Sequence, residues 1–125
     1  MNKRKKMKRI LLTLILVLAI PSISWSQATT VSRLALDQGA PDLVTANSYT
    51  YKYYPDNAAI GIVLTFTCTG TSSPFLCTAS FPAFTPGAHT LTVTASNIAG
   101  ESPKSGILSF TFVIIPSVPT NLRIQ

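Results

Sequence analysis

Apolar and polar residues alternate with a period of two along much of the chain beyond residue 30. In the clearest run, residues 89–96, Leu91, Val93 and Ala95 alternate with threonines and a serine. Successive side chains of a strand point to opposite faces, so this pattern predicts a strand with one face in a core and one in water. Pro86 and Gly87, just before the run, are typical of a turn.

Five other runs have the composition of short strands, rich in Thr, Val, Ile, Phe and Tyr. They cover residues 31–36, 49–54, 60–68, 76–81 and 107–115. In the third of these runs the face shared by alternate residues is apolar from Ile60 to Cys68, and in the last run Phe110 and Phe112 share a face with Ile114. No stretch after residue 26 repeats apolar residues at helical spacing without a nearby Pro or Gly, so we expect almost no helix. Six or seven short strands separated by turns predict an all-β protein, folded as a two-sheet antiparallel β-sandwich.

The first residues have the order of a secretory signal peptide. A basic segment, residues 3–9, precedes an apolar run from Ile10 to Ile20, and Pro21 ends that run. The run has 11 residues, whereas a helix that crosses the hydrocarbon core needs about 20. A removable signal peptide is therefore favoured over a retained membrane anchor.

Two cleavage positions fit the small residues that follow the apolar run. Ser24 and Ser26 predict a cut before Gln27, which gives a signal peptide of residues 1–26. A cut after Ala28 is the other candidate. The prediction is an exported protein that is secreted, periplasmic or attached to the cell surface.

Removal of the leader changes the charge of the protein. The sequence has ten Lys and Arg residues against four Asp and Glu residues, a net charge of +6. Six of the ten basic residues lie in residues 1–26, so the remaining chain is formally neutral. Binding to nucleic acid needs clustered positive charge, because affinity for phosphate comes from the release of counterions. We therefore expect no nucleic-acid partner.

The chain that remains after cleavage has the size of one ordinary domain. It contains 99 residues. We assign residues 27–115 to the sandwich and residues 116–125 to a C-terminal tail or an added strand. No membrane span is expected once the leader is removed.

The two cysteines, Cys68 and Cys77, predict a disulfide. An even pair in an exported chain enters a compartment where disulfides persist. Residues 69–74 between them have a turn composition, so the bridge is expected to join neighbouring strands across a hairpin or a connecting loop. Closing so short a loop stabilises a fold by about 2.5 to 3 kcal/mol in the chain-entropy model. With one histidine in the chain and no third ligand nearby, a zinc site is disfavoured, and we expect neither a metal nor a cofactor.

A more specific pattern covers about a third of the processed chain, from residue 84 to residue 114. It consists of PGAHTLTVTA followed by Asn97, Gly100, Glu101, Ser102 and Ser105. This pattern resembles the second half of a fibronectin type III domain, in which the penultimate strand ends in alanine and an Asn-x-x-Gly-x-Ser loop leads into the last strand. The resemblance implies an immunoglobulin-like sandwich.

Two other segments are similar to parts of the same family. The tyrosine-rich residues 49–54 resemble its third strand, and residues 116–123 resemble the opening of a following domain. His89 stands where the family usually has the tyrosine of the corner between the two sheets.

Few residues offer catalytic chemistry. His89 is the only imidazole, the usual general base, but no acid lies near it in sequence. We therefore predict that it starts a strand and hydrogen-bonds a loop carbonyl. Asp56 and Asn57 are more typical of a turn than of a cation site, which needs several acids in a short span. No catalytic residue is predicted, and we expect the protein not to be an enzyme.

The function predicted from these features is a noncatalytic interaction or structural module that binds a protein partner. The polar loop of residues 97–104 is the best candidate for the contact surface, because loops at the ends of a sandwich often carry recognition. Its candidate contact residues are Asn97, Glu101, Ser102 and Lys104.

The alternative function is a carbohydrate-binding accessory module. Aromatic side chains on a sandwich face can stack on sugar rings, although strands bury such rows more often than they expose them. The candidate stacking residues are Tyr49, Tyr51, Tyr53 and Tyr54, of which the first three share a face and the fourth points to the other face.

Overall fold

The structure is a computed structural model that describes residues 26–125. The predicted leader lies outside these residues, except for Ser26. The described chain forms strands and one short helix, which are β1 (Gln27–Ala28), β2 (Arg33–Gln38), α1 (Leu43–Ser48), β3 (Thr50–Pro55), β4 (Ile62–Val63), β5 (Thr67–Thr69), β6 (Phe75–Ser80), β7 (Gly87–Asn97), β8 (Gly100–Glu101) and β9 (Leu108–Phe112).

The strands form two sheets. The larger sheet has the order β1-β9-β7-β3-β4, with β8 also paired to β7, and the smaller has the order β2-β6-β5. Neighbouring strands are antiparallel except β1 and β9, which are parallel. The predicted all-β sandwich is confirmed.

The apolar faces of the two sheets meet in one core. Leu91 and Val93 of β7 are buried in it, as the alternation predicted, and Phe110 and Phe112 of β9 join them. The smaller sheet contributes Leu34, Phe75, Cys77 and Ala79. Thr94 is an exception on the outer face of β7, because its side chain is buried as well.

The segment predicted as one strand over residues 60–68 is two strands in different sheets. Residues 62–63 form β4 beside β3, and residues 67–69 form β5 beside β6. Ile62 is consequently exposed at the edge of the larger sheet, whereas Phe66 and Cys68 are buried. Periodicity predicted the faces within each part but not the crossing from one sheet to the other.

The last strand is shorter than predicted. β9 ends at Phe112, and Ile114 and Ile115 are exposed. The backbone of Val113 still donates to the carbonyl of Ala28, 2.9 Å away. From there to residue 125 the chain has no regular secondary structure and its side chains are mostly exposed.

The helix α1 was not predicted from the sequence. Asp42 caps it, because its Oδ1 accepts a hydrogen bond from the backbone of Thr45 at 2.7 Å. That bond lowers the pKa of Asp42 below its usual value. Only Ala46 of the helix is buried, so its six residues carry too little apolar periodicity to be recognised. Within residues 26–125, no helix has the length and apolar character needed to cross a membrane.

The predicted disulfide joins β5 and β6. Cys68 and Cys77 are direct cross-strand partners in the hairpin, and both are buried. The hydroxyl of Tyr51 lies 3.5 Å from the sulfur of Cys68 and donates to the carbonyl of Ala46 at 2.9 Å. The bridge, a core tyrosine and the short helix are therefore packed together.

Candidate functional site

An open groove runs along one flank of the sandwich, between β2 and residues 102–108. We call it the edge groove; its volume is about 380 Å³. Its apolar lining includes Leu34, Leu36, Tyr51, Leu91, Val93 and Leu108. In the described part of the chain, β2 has a strand neighbour on one side only. Its other edge therefore offers unpaired backbone N–H and C=O groups.

The opposite wall of the edge groove is shaped by two serines. The Oγ of Ser102 accepts from the backbone of Ala95 at 3.1 Å, and the Oγ of Ser105 accepts from that of Val93 at 2.9 Å. The backbone N–H groups of the same serines donate to the carbonyls of Ala95 and Val93. Pro103 between them has no N–H to give a ladder. The segment thus stays attached to β7 without forming a strand, and regular pairing resumes at Leu108.

The edge groove continues into a more polar cleft at the end of the sandwich. This polar cleft has a volume of about 330 Å³ and shares Gln38, Ala95 and Ser102 with the edge groove. Its other lining residues are Tyr49, Ser96, Asn97, Ala99, Gly100 and Glu101. Three predicted contact residues and one predicted stacking tyrosine are therefore brought together here.

The predicted contact loop is a hairpin. A two-residue turn joins β7 to β8, and the side chain of Asn97 accepts from the backbone of Ala99 at 2.8 Å. Lys104 does not join the other contact residues in the polar cleft. Its Nζ lies 4.3 Å from the centre of the Tyr54 ring and donates to the carbonyl of Ala58.

The predicted tyrosine row is only partly accessible. Tyr51 is 2% exposed and Tyr54 is 8% exposed, so neither offers a ring face to a sugar, and we correct their assignment as stacking residues. Tyr51 packs in the core. Tyr54 lies on the outer face but is covered there by Gly61. This glycine lies so close that a Cβ atom added to it would be 2.6 Å from the tyrosine ring. Tyr53 is half-buried against the core, and Tyr49 is half-buried at the polar cleft.

Glu101 connects the hairpin to the outer face of the larger sheet. Its carboxylate accepts hydrogen bonds from the hydroxyls of Thr94 and Tyr54 and forms an ion pair of 3.3 Å with Lys52. These interactions favour the charged form, first the bond from Thr94 and then that from Tyr54, and lower the pKa of Glu101 to about 2. The same contacts explain why Thr94 and Tyr54 are buried on a face predicted to meet water.

His89 is held between two acceptors. Its Nδ1 lies 2.8 Å from the carboxylate of Asp56, and its Nε2 lies 2.8 Å from the carbonyl oxygen of Thr85. Neither acceptor can donate, so both bonds form only when the imidazole carries both protons. The bond to Asp56, followed by that to the Thr85 carbonyl, raises the pKa of His89 above 6.5. The predicted hydrogen bond to a loop carbonyl is confirmed.

An acid, an imidazole and a hydroxyl lie together at this corner, as in a nucleophilic triad. The hydroxyl of Thr85 is 3.4 Å from Nε2 of His89. Nε2 is bound more closely to the Thr85 carbonyl and must carry a proton there, so it cannot accept the hydroxyl proton. The arrangement pins the loop before β7 to the turn after β3.

Asp56 and Asn57 form that turn. Their φ angles are 48° and 60°, in the left-handed region that these two residue types tolerate. The carboxylate of Asp56 also accepts from the backbone of Thr90 at 2.9 Å, and this bond is the main reason that the pKa of Asp56 is lowered. Among residues 26–125, no group of three or more His, Cys, Asp or Glu side chains is placed to hold a metal ion.

The edge groove is the feature that sequence reasoning missed. The signal available in the sequence was Ser102, Pro103 and Ser105, which follow the alternating residues of β7. A proline between two serines indicates a segment that cannot form regular strand pairing with its neighbour. No protein-family model matches the chain, and no curated protein matches it.

Proposed function

We propose that the protein is a noncatalytic interaction module whose edge groove binds an extended segment of a protein partner. The observation that carries the proposal is the combination of a free strand edge on β2 with an apolar floor beside it. An extended peptide that adds to such an edge gains backbone hydrogen bonds, while alternate side chains enter the floor.

The sequence and the strand order support an immunoglobulin-like or fibronectin type III-like assignment. The sheets β2-β6-β5 and β9-β7-β3-β4 match the general division of such sandwiches into two sheets of antiparallel strands. The resemblance of residues 84–114 to the second half of a fibronectin type III domain supports the same assignment.

Export is part of the proposal. The basic and apolar order of the first residues supports a cleaved signal peptide. The buried Cys68–Cys77 bridge suits a secreted, periplasmic or cell-surface location.

The absence of catalysis is proposed from the state of the one candidate base. Both ring nitrogens of His89 are committed to acceptors. A general base needs a free nitrogen within reach of the proton that it removes.

Selection of short random peptides against the chain from Gln27 onward tests the proposal. We expect bound peptides to have alternating apolar residues and to shift the backbone amide NMR signals of β2 and residues 102–108. Leu36→Lys, which places a charge on the groove floor, is expected to abolish binding. Leu76→Lys is the matched control, because Leu76 is exposed on the neighbouring strand β6 and does not line the groove.

The proposal fails if no peptide is retained, or if the two lysine variants lose binding equally while both remain folded by circular dichroism. It also fails if the shifted amides lie outside the edge groove.

A second candidate function, glycan binding, is favoured by Tyr49. This half-buried ring lies beside the polar side chains of Gln38, Asn97 and Glu101 in the polar cleft. An aromatic ring next to polar groups suits a sugar, which has an apolar face and hydroxyls at its edge. Tyr49→Ala should then remove retention on an immobilised polysaccharide, while Tyr53→Ala, outside the polar cleft, should preserve it. Equal retention by the two variants contradicts this function.

A further inference from the structure

We infer that the occupant of the edge groove is a segment of a second copy of this chain, residues 120–125, which adds as a strand beside β2. This inference rests on the proposed function, because it names the partner of the same groove. Three features of the described chain lead to it: the pattern of residues 120–125, the shape of the groove, and the opposite charges of Asp37 and Arg123.

Residues 120–125 have the pattern of a strand that lacks a sheet. Leu122 and Ile124 are fully exposed and two positions apart, so they share a face when the backbone is extended. Each of residues 120–125 has a backbone N–H to donate, because the nearest proline, Pro119, precedes them. Exposed apolar residues at this spacing are available to a groove that buries them.

The groove offers the complementary pattern. Along β2, Leu34 and Leu36 face the core side, while Asp37 faces outward and is exposed. A strand paired with β2 in the same sheet also has alternate residues on the core side and on the outer side. Leu122 and Ile124 then lie over the apolar floor, and Arg123 lies on the outer face with Asp37.

Asp37 and Arg123 belong to the five charged side chains of the described residues that form no ion pair; the others are Arg33, Asp42 and Lys104. The ion pairs within residues 26–125 are Lys52 with Glu101 and His89 with Asp56. Neither Asp37 nor Arg123 takes part in one of them. An acid on the groove and a base on the candidate strand are electrostatically complementary.

The segment that fills the groove comes from a second copy of the chain, because residues 120–125 of the same chain lie away from its own groove. None of residues 113–125 lines the edge groove. The chain leaves the larger sheet beside β1, where Val113 bonds to Ala28. Asn121 has a φ of 56° in this position and must become extended on pairing, which asparagine readily does.

A segment of one copy in the groove of another is a contact between two different surfaces. Such a contact closes into a reciprocal pair or continues into longer assemblies, and either form depends on protein concentration. The inference therefore predicts self-association of the chain from Gln27 onward.

Sedimentation equilibrium of this chain is the first measurement. We expect association below about 1 mM, the weak end of specific binding. Leu122→Ser with Ile124→Ser should return the chain to a monomer, while Val118→Asp, an equally accessible change outside the strand segment, should leave association unchanged. All three changed residues are exposed, and thermal unfolding checks that the variants stay folded.

A charge reversal tests the register. Asp37→Arg and Arg123→Asp are each expected to weaken association about five- to tenfold, because each places like charges opposite one another. Combining the two substitutions in one chain should restore it. Mixing the two single variants should also produce complexes that contain one chain of each kind, since residues 37 and 123 then have opposite charges across each contact.

A chain that stays monomeric at about 1 mM overturns the inference. So does association that is insensitive to both the serine and the charge variants, because the contact then uses another surface. In either case the selected peptides still report separately on the proposed function: binding of a foreign peptide to the groove upholds that function, and its absence removes the function along with the inference.

Discussion

The two halves of β7 have different surroundings, and the difference explains where the molecule is closed and where it is open. The first half, residues 87–91, pairs residue by residue with β9. It lies beside an aromatic cluster formed by Phe81, Phe84, Phe110 and Phe112. The second half, residues 92–97, meets the serine-bonded wall and borders the edge groove. We call these the closed half and the open half.

The edge groove forms without leaving the N–H groups of the neighbouring strand β7 unsatisfied. In the closed half, N–H groups of β7 belong to a ladder with β9. In the open half, the N–H groups of Val93 and Ala95 are bound by serine hydroxyls. Buried backbone groups need partners, and side chains here replace strand residues as those partners. The flank is open while the strand remains anchored.

The largest expected effect comes from breaking the closed half. Phe112 is 1% exposed and belongs to the aromatic cluster. Phe112→Ala should lower the free energy of unfolding by about 3–5 kcal/mol, since it leaves a cavity in the core. Leu108→Ala, at a residue that is 37% exposed at the groove, should cost less than about 2 kcal/mol. Urea denaturation measures both, and equal losses would contradict the distinction between the buried aromatic cluster and the lining of the edge groove.

A smaller loss is expected when β1 is removed from its place beside β9, the strand that pairs with the closed half. Ala28 is buried and its carbonyl accepts the bond from Val113. A chain that begins at Thr29 lacks both interactions and should be less stable than one that begins at Gln27 by about 1–2 kcal/mol. Thermal unfolding of the two chains measures the difference. Identical midpoints would show that β1 contributes nothing, and the two predicted cleavage positions would then be equivalent for stability.

Acid should weaken the open half through Glu101. Its pKa is about 2 in the folded protein and 4.5 in the unfolded chain, so its contribution to stability is present above pH 4.5 and is lost as the pH falls toward 2. Hydrogen exchange of the amides of β8 between pH 2 and 6 should report this loss, after correction for the intrinsic rate. Glu101→Gln should flatten the dependence. A profile that is unchanged by this substitution would assign the acid sensitivity to another group.

The smallest effect is expected at His89, in the closed half, and has the opposite sign. The raised pKa means that the contribution of His89 is fully present below pH 6.5 and is lost as the pH rises through the folded value. NMR titration of the ring should give a pKa above 6.5. The thermal unfolding midpoint should therefore decrease with pH above pH 6.5, and His89→Gln should remove this decrease. A ring that titrates below 6.5 would show that the bonds to Asp56 and Thr85 do not hold the charged form.

Local patterns in the sequence were sufficient where a single strand and its immediate neighbours decide the outcome. Alternation identified the buried face of β7, with Leu91 and Val93, because side chains of a strand must alternate. The turn composition between Cys68 and Cys77 indicated a bridge across a hairpin, and these residues are cross-strand partners. The role of His89 as a loop anchor followed from its place at the start of a strand.

Features that depend on distant segments could not be predicted from local patterns. Tyr54 was predicted to be accessible, but residue 61 and the side chains of Glu101 and Lys104 cover it. The acid that pairs with His89 is Asp56, 33 residues away in the chain. Alternation specifies which face of a strand a residue occupies, and it carries no information about what another segment places over that face.

Short strands with one apolar face, joined by turns and by one disulfide, could be predicted from the amino-acid sequence, because they depend on neighbouring residues and on steric preferences of the backbone. Local patterns did not indicate which sheet each strand joins, which tyrosines are covered or where β2 keeps an edge without a strand neighbour beside an apolar floor. Those outcomes depend on how segments far apart in the chain pack against each other, and that packing is a property of the whole fold.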